Sequence, residues 1–201
     1  MGFNREMADA LEDIIGDYRA FAAQQRDRLA TVGIDITPYG LSHLAYRVPE
    51  WDQYVHVRGL IERHAVANRE NVWNGRPISL IILAEPLVVL DGKPVSRIEL
   101  IPPVHQRVYR MGLEHLGVVV GEGFDAFSRD HRDALTGQQF QSAAVDPVYV
   151  LFEDFTHVKF YRRSFFDVVE DAGGPIEGFS HIDDWEPQRL VTATGSNPLP
   201  R

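Results

Sequence analysis

Two short segments of this 201-residue chain read alike, and they constrain its fold more than any other feature. Leu41-Ser42-His43-Leu44-Ala45-Tyr46-Arg47-Val48 and Leu113-Glu114-His115-Leu116-Gly117-Val118-Val119-Val120 agree at four of eight positions, with their histidines 72 positions apart. The same order of patterns follows each. After the first comes a helical stretch beyond Pro49, with Tyr54, Val57, Leu60, Ile61 and Ala65 on one side. Strand-like runs at 68–73, 78–83, 87–90 and 95–101 follow, punctuated by the tight-turn pairs Asn74-Gly75 and Asp91-Gly92. After the second segment, Phe124, Phe127, His131 and Leu135 predict a helix over 124–136, and strands are expected at 139–143, 147–153 and 156–162. A repeated strand–helix–three-strand order is the signature of a duplicated module.

The flanks complete the plan. Met7, Leu11, Ile14, Ile15, Tyr18, Phe21 and Leu29 recur at helical spacing, which predicts one amphipathic helix over 5–31, with Gly33 as its C-terminal glycine. A short helix is expected at 164–170. The composition changes at Ala172-Gly173-Gly174-Pro175, and the remainder is rich in Gly, Pro and polar groups. We therefore expect an α+β fold in a single domain over 1–172. Its modules lie at about 34–103 and 112–170, and an extended tail, dispensable for folding, occupies 173–201.

Composition narrows the function. With 44% hydrophobic residues, the chain can bury one good core. A net charge of −9 without a basic stripe argues against nucleic acid as a partner. Cysteine is absent, so thiolate metal sites, disulfides and a cysteine nucleophile are excluded together. The first seven residues are polar and charged, and the longest apolar run, 78–90, is too short and too interrupted to cross a bilayer. The expectation is a soluble cytoplasmic protein, monomeric or homodimeric, with a small-molecule partner.

Any metal site must use His, Asp or Glu. Strand alternation puts His43, Ala45 and Arg47 on one face of the first strand, and Arg97 and Glu99 on one face of the strand at 95–101. His115 and Gly117 share a face, opposite Glu114, which is expected to point away. His157, Lys159 and Tyr161 share another. Two facing half-sheets would bring these polar faces into one cleft, where His43, Glu99 and His115 form a 2-His-1-carboxylate set. Taken singly, each of these residues reads as structural. Their positions, two histidines opening a half and Glu99 closing the first, turn them into a set. His56, His64, His131 and His181 read as surface or structural residues, and His105 is ambiguous.

On these residues the chain resembles the vicinal-oxygen-chelate superfamily, and more narrowly the YecM-like family of metal-binding proteins. The resemblance is carried by Gly33-Ile34-Asp35-Ile36-Thr37-Pro38, Ser42-His43-Leu44-Ala45-Tyr46-Arg47 and Glu70-Asn71-Val72-Trp73-Asn74-Gly75-Arg76-Pro77-Ile78. Ile98-Glu99-Leu100-Ile101-Pro102, Glu114-His115-Leu116 and Val158-Lys159-Phe160 complete it. It implies two βαβββ modules forming a half-barrel cleft, with metal ligands on the first and last strand of each. His43, Glu99 and His115 match three of those positions. The fourth falls on Lys159, a poor ligand, where glyoxalase-like members carry a second carboxylate.

The implied function is a metal-dependent enzyme acting on a small, anionic, oxygen-chelating substrate. One divalent ion is expected, Fe(II) first, with Mn, Zn or Ni as alternatives. Lys159, Arg47 and His157 are the candidate catalytic groups, and Arg76, Arg97 and Arg107 the candidate substrate-binding ones. A first expectation is Fe(II)-type oxygenase chemistry. The alternatives are an isomerase or lyase of the same fold, and a non-catalytic ligand-binding protein of the resistance type.

Overall fold

The computed structural model describes residues 2–73, 75–103, 109–140, 142, 144–183 and 185. Its architecture is α+β, with nine strands in one sheet and five α-helices among the described residues. Helices α1 (Gly2–Ile15) and α2 (Tyr18–Thr31) precede β1 (Gly40–Arg47), α3 (Trp51–Glu62), β2 (Ala65–Trp73), β3 (Arg76–Leu90) and β4 (Lys93–Ile101). The second half runs β5 (Gly112–Val119), α4 (Phe124–Asp130), β6 (Gly137–Gln138), β7 (Val148–Leu151) and β8 (His157–Tyr161). Helix α5 (Phe165–Gly173) and β9 (Gly178–Ser180) follow.

The strand order β6-β7-β8-β5-β1-β4-β3-β2-β9 contains the same module twice. In each half the first and last strands pair in parallel, β1 with β4 and β5 with β8, and the antiparallel middle strands extend outward. The halves meet through the antiparallel pair β1–β5, which sets His43 opposite Gly117 and Ala45 opposite His115. Two βαβββ modules are therefore joined along the very segments whose sequences echo one another.

Strand alternation sorts the faces. Leu44, Ile98, Leu116, Val158 and Phe160 point into the main core, where Leu11 of α1, Tyr18 and Leu29 of α2, and Tyr54 and Ile61 of α3 meet them. A smaller cluster joins Phe165 and Phe166 of α5 to Leu80, Tyr161 and Ile176. The opposite face of β1, β4, β5 and β8 carries the polar residues. One cleft of about 420 Å³ is lined by side chains from every strand from β1 to β8. A flat sheet would spread eight strands over roughly 33 Å at the usual spacing. The sheet must therefore curl around the cleft.

Several boundaries differ from expectation for identifiable reasons. The helix over 5–31 is two helices, because Gly16 adopts φ 86° and the Asp17 side chain accepts from the Ala20 amide, capping a new N-terminus. The two runs at 78–83 and 87–90 are one long strand, β3, whose pairing with β4 shifts register between Ile82 and Leu87. Helix α4 stops at Asp130 instead of 136, and at 139–143 the described residues show only an isolated bridge between Ser142 and Val145. The tail after 172 was expected to be extended and dispensable for folding. Its described part instead packs down: β9 pairs in parallel with β2, Ile176 is buried, and Trp185 Nε1 donates to Gly75 O at 2.7 Å. None of the described helices is long and apolar enough to cross a membrane.

Candidate metal centre

His43, Glu99 and His115 come from β1, β4 and β5, the central strands of the sheet, and all three are buried. Their polar atoms form a small triangle. His43 Nε2 and His115 Nε2 stand 3.2 Å apart, and Glu99 Oε2 lies 3.5 Å from the first and 3.1 Å from the second. Ligand atoms bound to one ion at about 2.0–2.2 Å lie roughly 2.8–3.6 Å apart at angles between a right angle and tetrahedral. The three edges fit that window. Two imidazole nitrogens and a carboxylate oxygen turned toward one point are also the donor types that a borderline divalent cation takes.

The surroundings hold the imidazoles in place. His43 Nδ1 lies 2.9 Å from Ser42 Oγ, which is 3.1 Å from Ser164 Oγ, which in turn accepts from Arg97 Nη1 at 2.8 Å. The tautomer in which His43 Nδ1–H donates to Ser42 leaves Nε2 as the free lone pair. Tyr161, Phe165 and Phe166 pack around the His43 ring, with centroids 5.6–5.8 Å away. This apolar wall removes water, and burial pushes the His43 pKa down to about 4, so the ring is neutral at pH 7. Burial opposes ionisation of Glu99. Its close contacts with His115 and His43 nevertheless hold its carboxyl well below the usual carboxylate range.

Glu114 overturns a sequence expectation. It does not point away from the set; it is buried and lines the cleft. The cause is a bulge: Ala45 pairs with His115 and Tyr46 with Leu113, which leaves Glu114 as the extra residue. Alternation is lost there, and Glu114 and His115 reach the same side. Glu114 forms a bidentate ion pair with Arg47, and its Oε1 lies 3.5 Å from His115 Nδ1. Despite burial, His115 and Arg47 keep Glu114 ionised far below the ordinary carboxylate range. A carboxylate behind a ligating imidazole orients the ring and raises its basicity.

The other candidate residues separate into three groups. His157 and Lys159 line the cleft on β8, opposite His115 and Gly117 in register. The His157 ring stacks on His115 with centroids 4.6 Å apart, and Arg76 lies on another wall. Arg47 also lines the cleft but is fully engaged there: besides Glu114 it donates to Pro102 O at 3.1 Å and lies 4.0 Å over the Tyr109 ring. Arg97 is not a cleft residue. It bonds Ser164 and pairs with Asp167 at 2.6 Å, fastening α5 to β4. Arg107 and His105 lie outside the described residues. His181 pairs with Glu62 at 2.7 Å, remote from the cleft.

Ser42, Ser164 and Tyr109 were not singled out from the sequence. Gly117 was the available signal for close packing, because a Cβ there would stand 2.6 Å from His43 Cε1. Nothing in the letters marks the bulge that turns Glu114 inward.

The fold and site thus define a class, paired-module α+β proteins whose cleft opens on the seam between modules. Residues 10–161 match the family described as YecM protein, and the chain belongs to that family. Protein YecM of Escherichia coli (strain K12) is 31% identical over 117 residues, which is 58% of this chain and 62% of that protein. The chain thus spans somewhat less than two thirds of this curated relative. A solved structure described as Protein EC4020 of structural genomics is 25% identical with a TM-score of 0.59, covering 81% of this chain and 91% of its own. A mutant 4-hydroxymandelate synthase from Streptomyces coelicolor shows a more partial likeness. It is 13% identical with a TM-score of 0.38, covering 61% of this chain and 48% of its own.

Proposed function

We propose that this protein is a divalent-metal-dependent enzyme acting on a small, oxygen-chelating, anionic substrate, with Fe(II)-type oxygenase chemistry as the leading reading. The observation that carries the proposal is the buried triangle of His43 Nε2, His115 Nε2 and Glu99 Oε2, with edges of 3.1–3.5 Å. Three protein ligands on rigid strands leave further positions open for substrate. A bound metal would supply Lewis acidity to a chelating substrate and, if it is iron, access to O2.

The chain's own residues supply the rest. Glu114 Oε1 stands 3.5 Å from His115 Nδ1, which has no hydrogen-bond partner of its own, and would orient that ring when it binds a metal; Arg47 fixes Glu114. His157 is kept neutral at pH 7, chiefly because burial lowers its pKa well below the usual imidazole value. Its Nε2 can therefore take a proton from a substrate hydroxyl. Lys159 and Arg76 bring positive charge to the same cleft. The closed apolar surface around His43 excludes water from the seam.

Proton transfer at His157 also supports a second reading, a metal-dependent isomerase or lyase. The glyoxalase variant of that reading is weakened by Lys159, which stands where it would need a second carboxylate. Glu114 does not replace that group, since Arg47 already neutralises it.

The test is oxygen uptake by anaerobically reconstituted protein mixed with air-saturated small carboxylates and catechols. Uptake that requires Fe(II) and disappears in His115→Ala supports the oxygenase. Metal-dependent conversion without uptake moves the assignment to isomerase or lyase. Ligand binding with no turnover of any compound would make the protein a sequestering module instead.

A further inference from the structure

On a protein of net charge −9, the metal-centre cleft holds two cations with no partner of their own. Arg76 opens β3 with its Nε buried and without a hydrogen bond, and no ion pair to its guanidinium occurs among the described residues. Lys159, on β8, is likewise without a hydrogen bond or ion pair. Both line the same cleft. Burial and the neighbouring Arg47 lower the Arg76 pKa, and burial lowers that of Lys159, so each charge is held at a cost to the fold. The lining carboxylates are already engaged. Glu114 belongs to Arg47, and Glu99 faces the two imidazoles. A dication on the triangle would leave the cleft more positive still.

Beside these cations and the polar lining residues, the cleft carries aromatic and aliphatic side chains. Trp73, Tyr109, Tyr149 and Phe155 line the cleft together with Ile78 and Ile101. A guanidinium presents a planar fork that matches an oxyanion with two equivalent oxygens. Aromatic walls suit a planar body.

We infer that Arg76 and Lys159 form an oxyanion subsite beside the metal centre, and that the ligand is a planar apolar or aromatic acid bearing a carboxylate or phosphate group. The acid group sits on Arg76 and Lys159, and the body lies between the aromatic walls. Oxygens at its other end reach the triangle of His43, Glu99 and His115. This rests on the proposed metal-dependent reading for the second anchor but not for the first, and the two anchors can be tested apart.

The experiment is titration calorimetry of the full chain, stripped of metal with a chelator, using benzoate, phenyl phosphate and uncharged benzamide. Without metal, an acid group can be held only by the protein's own cations. Benzoate or phenyl phosphate is expected to bind at least about tenfold tighter than benzamide, and the tighter of the two names the acid group. Arg76→Gln and Lys159→Met should each weaken that binding by about tenfold or more, with the circular dichroism spectrum unchanged. Arg162→Gln, which removes an exposed cation paired with Asp125 away from the cleft lining, should leave it within about threefold. Equal binding of benzamide, or full binding by Arg76→Gln, overturns the subsite. In parallel, Mn(II) binding is followed by electron paramagnetic resonance in the unmodified chain and in Arg76→Gln. Both should take up the ion equally. If the unmodified chain takes up none, the metal reading fails while the anion result stands, and 3,4-dihydroxybenzoate then gains nothing over benzoate on Mn(II) addition. With metal held, 3,4-dihydroxybenzoate, whose vicinal oxygens lie away from its carboxylate, should gain at least about tenfold over benzoate on Mn(II) addition; no gain overturns the two-anchor placement.

Discussion

The His43 ring occupies the space that a side chain at Gly117 would need: a Cβ there would lie 2.6 Å from His43 Cε1 and 2.7 Å from Nδ1. The two residues face each other across the seam between the modules. Any residue larger than glycine must push the ring off the triangle or the strands apart. Gly117→Ala is therefore expected to destabilise the fold by about 1–3 kcal/mol, as overpacking does. It should also weaken metal binding at least as much as loss of a supporting hydrogen bond would. Thermal melts and metal titrations check both. Unchanged metal affinity in the alanine variant would place the His43 ring outside the site.

Ser42 is the polar neighbour of His43 Nδ1 at 2.9 Å. Ser42→Ala removes that neighbour and frees the ring to choose its other tautomer or to turn. Loss of such a partner typically lowers metal affinity 10- to 100-fold. Competition against a fluorescent chelator measures it. Wild-type affinity in Ser42→Ala would show that the Ser42–Ser164–Arg97 chain serves only to pin α5.

Much of this was legible in the letters, and the failures have physical causes. Alternation works for β4 and β8, which are regular where they pass the cleft, and for β1 from His43 onward, just past the bulge that leaves Ser42 as an extra residue. His43, Glu99, His157 and Lys159 therefore fall on the polar face as expected, and Leu44, Ile98, Val158 and Phe160 on the apolar one. It fails at Glu114 because a bulge inserts one residue, and a single insertion reverses the facing of what precedes it. Arg97 looked like a ligand-binding cation because it shares a strand face with Glu99. The helix that claims it, α5, approaches from far along the chain, and local pattern carries no trace of that contact.

The tail illustrates the same limit. Its polar, glycine-rich letters suggest a free end, yet the Ile182 amide donates to Glu70 Oε2 at 2.7 Å, beside Arg58 Nη1 on Oε1 at 2.8 Å. Glu70 is buried and also accepts from Tyr54 Oη at 2.8 Å. Ending the chain after Pro175 removes β9 and the Ile182 contact. The melting temperature should fall by several degrees, since roughly 1–3 kcal/mol is expected for leaving such a charged acceptor short of a donor. An unchanged melt would mean that this segment adds nothing to the fold.

Acid should destabilise the metal-free protein in a defined window. Burial holds the His43 pKa at about 4, below the ordinary imidazole value of 6.5, so the unfolded chain binds more protons between these values and stability falls as pH drops through them. Glu70 adds to this. Burial would raise its pKa, but hydrogen bonds from Arg58, the Ile182 amide and Tyr54 lower it below the ordinary glutamate value of 4.5. Its contribution is present above that value and lost as pH falls through the folded one. Melting curves of chelator-treated protein should be level above about pH 7 and decline steadily below about 6.5. A midpoint constant down to pH 4 would contradict the burial of a neutral His43.

The most direct measurement is the metal content of anaerobically purified protein, by mass spectrometry of the elements, for the unmodified chain and for His43→Ala, Glu99→Ala and His115→Ala. The account predicts one divalent ion per chain, reduced to a small fraction in each variant, with circular dichroism showing the fold retained. Full occupancy in any of the three variants, or an unmodified chain that takes up no divalent ion when supplied with it, would contradict it.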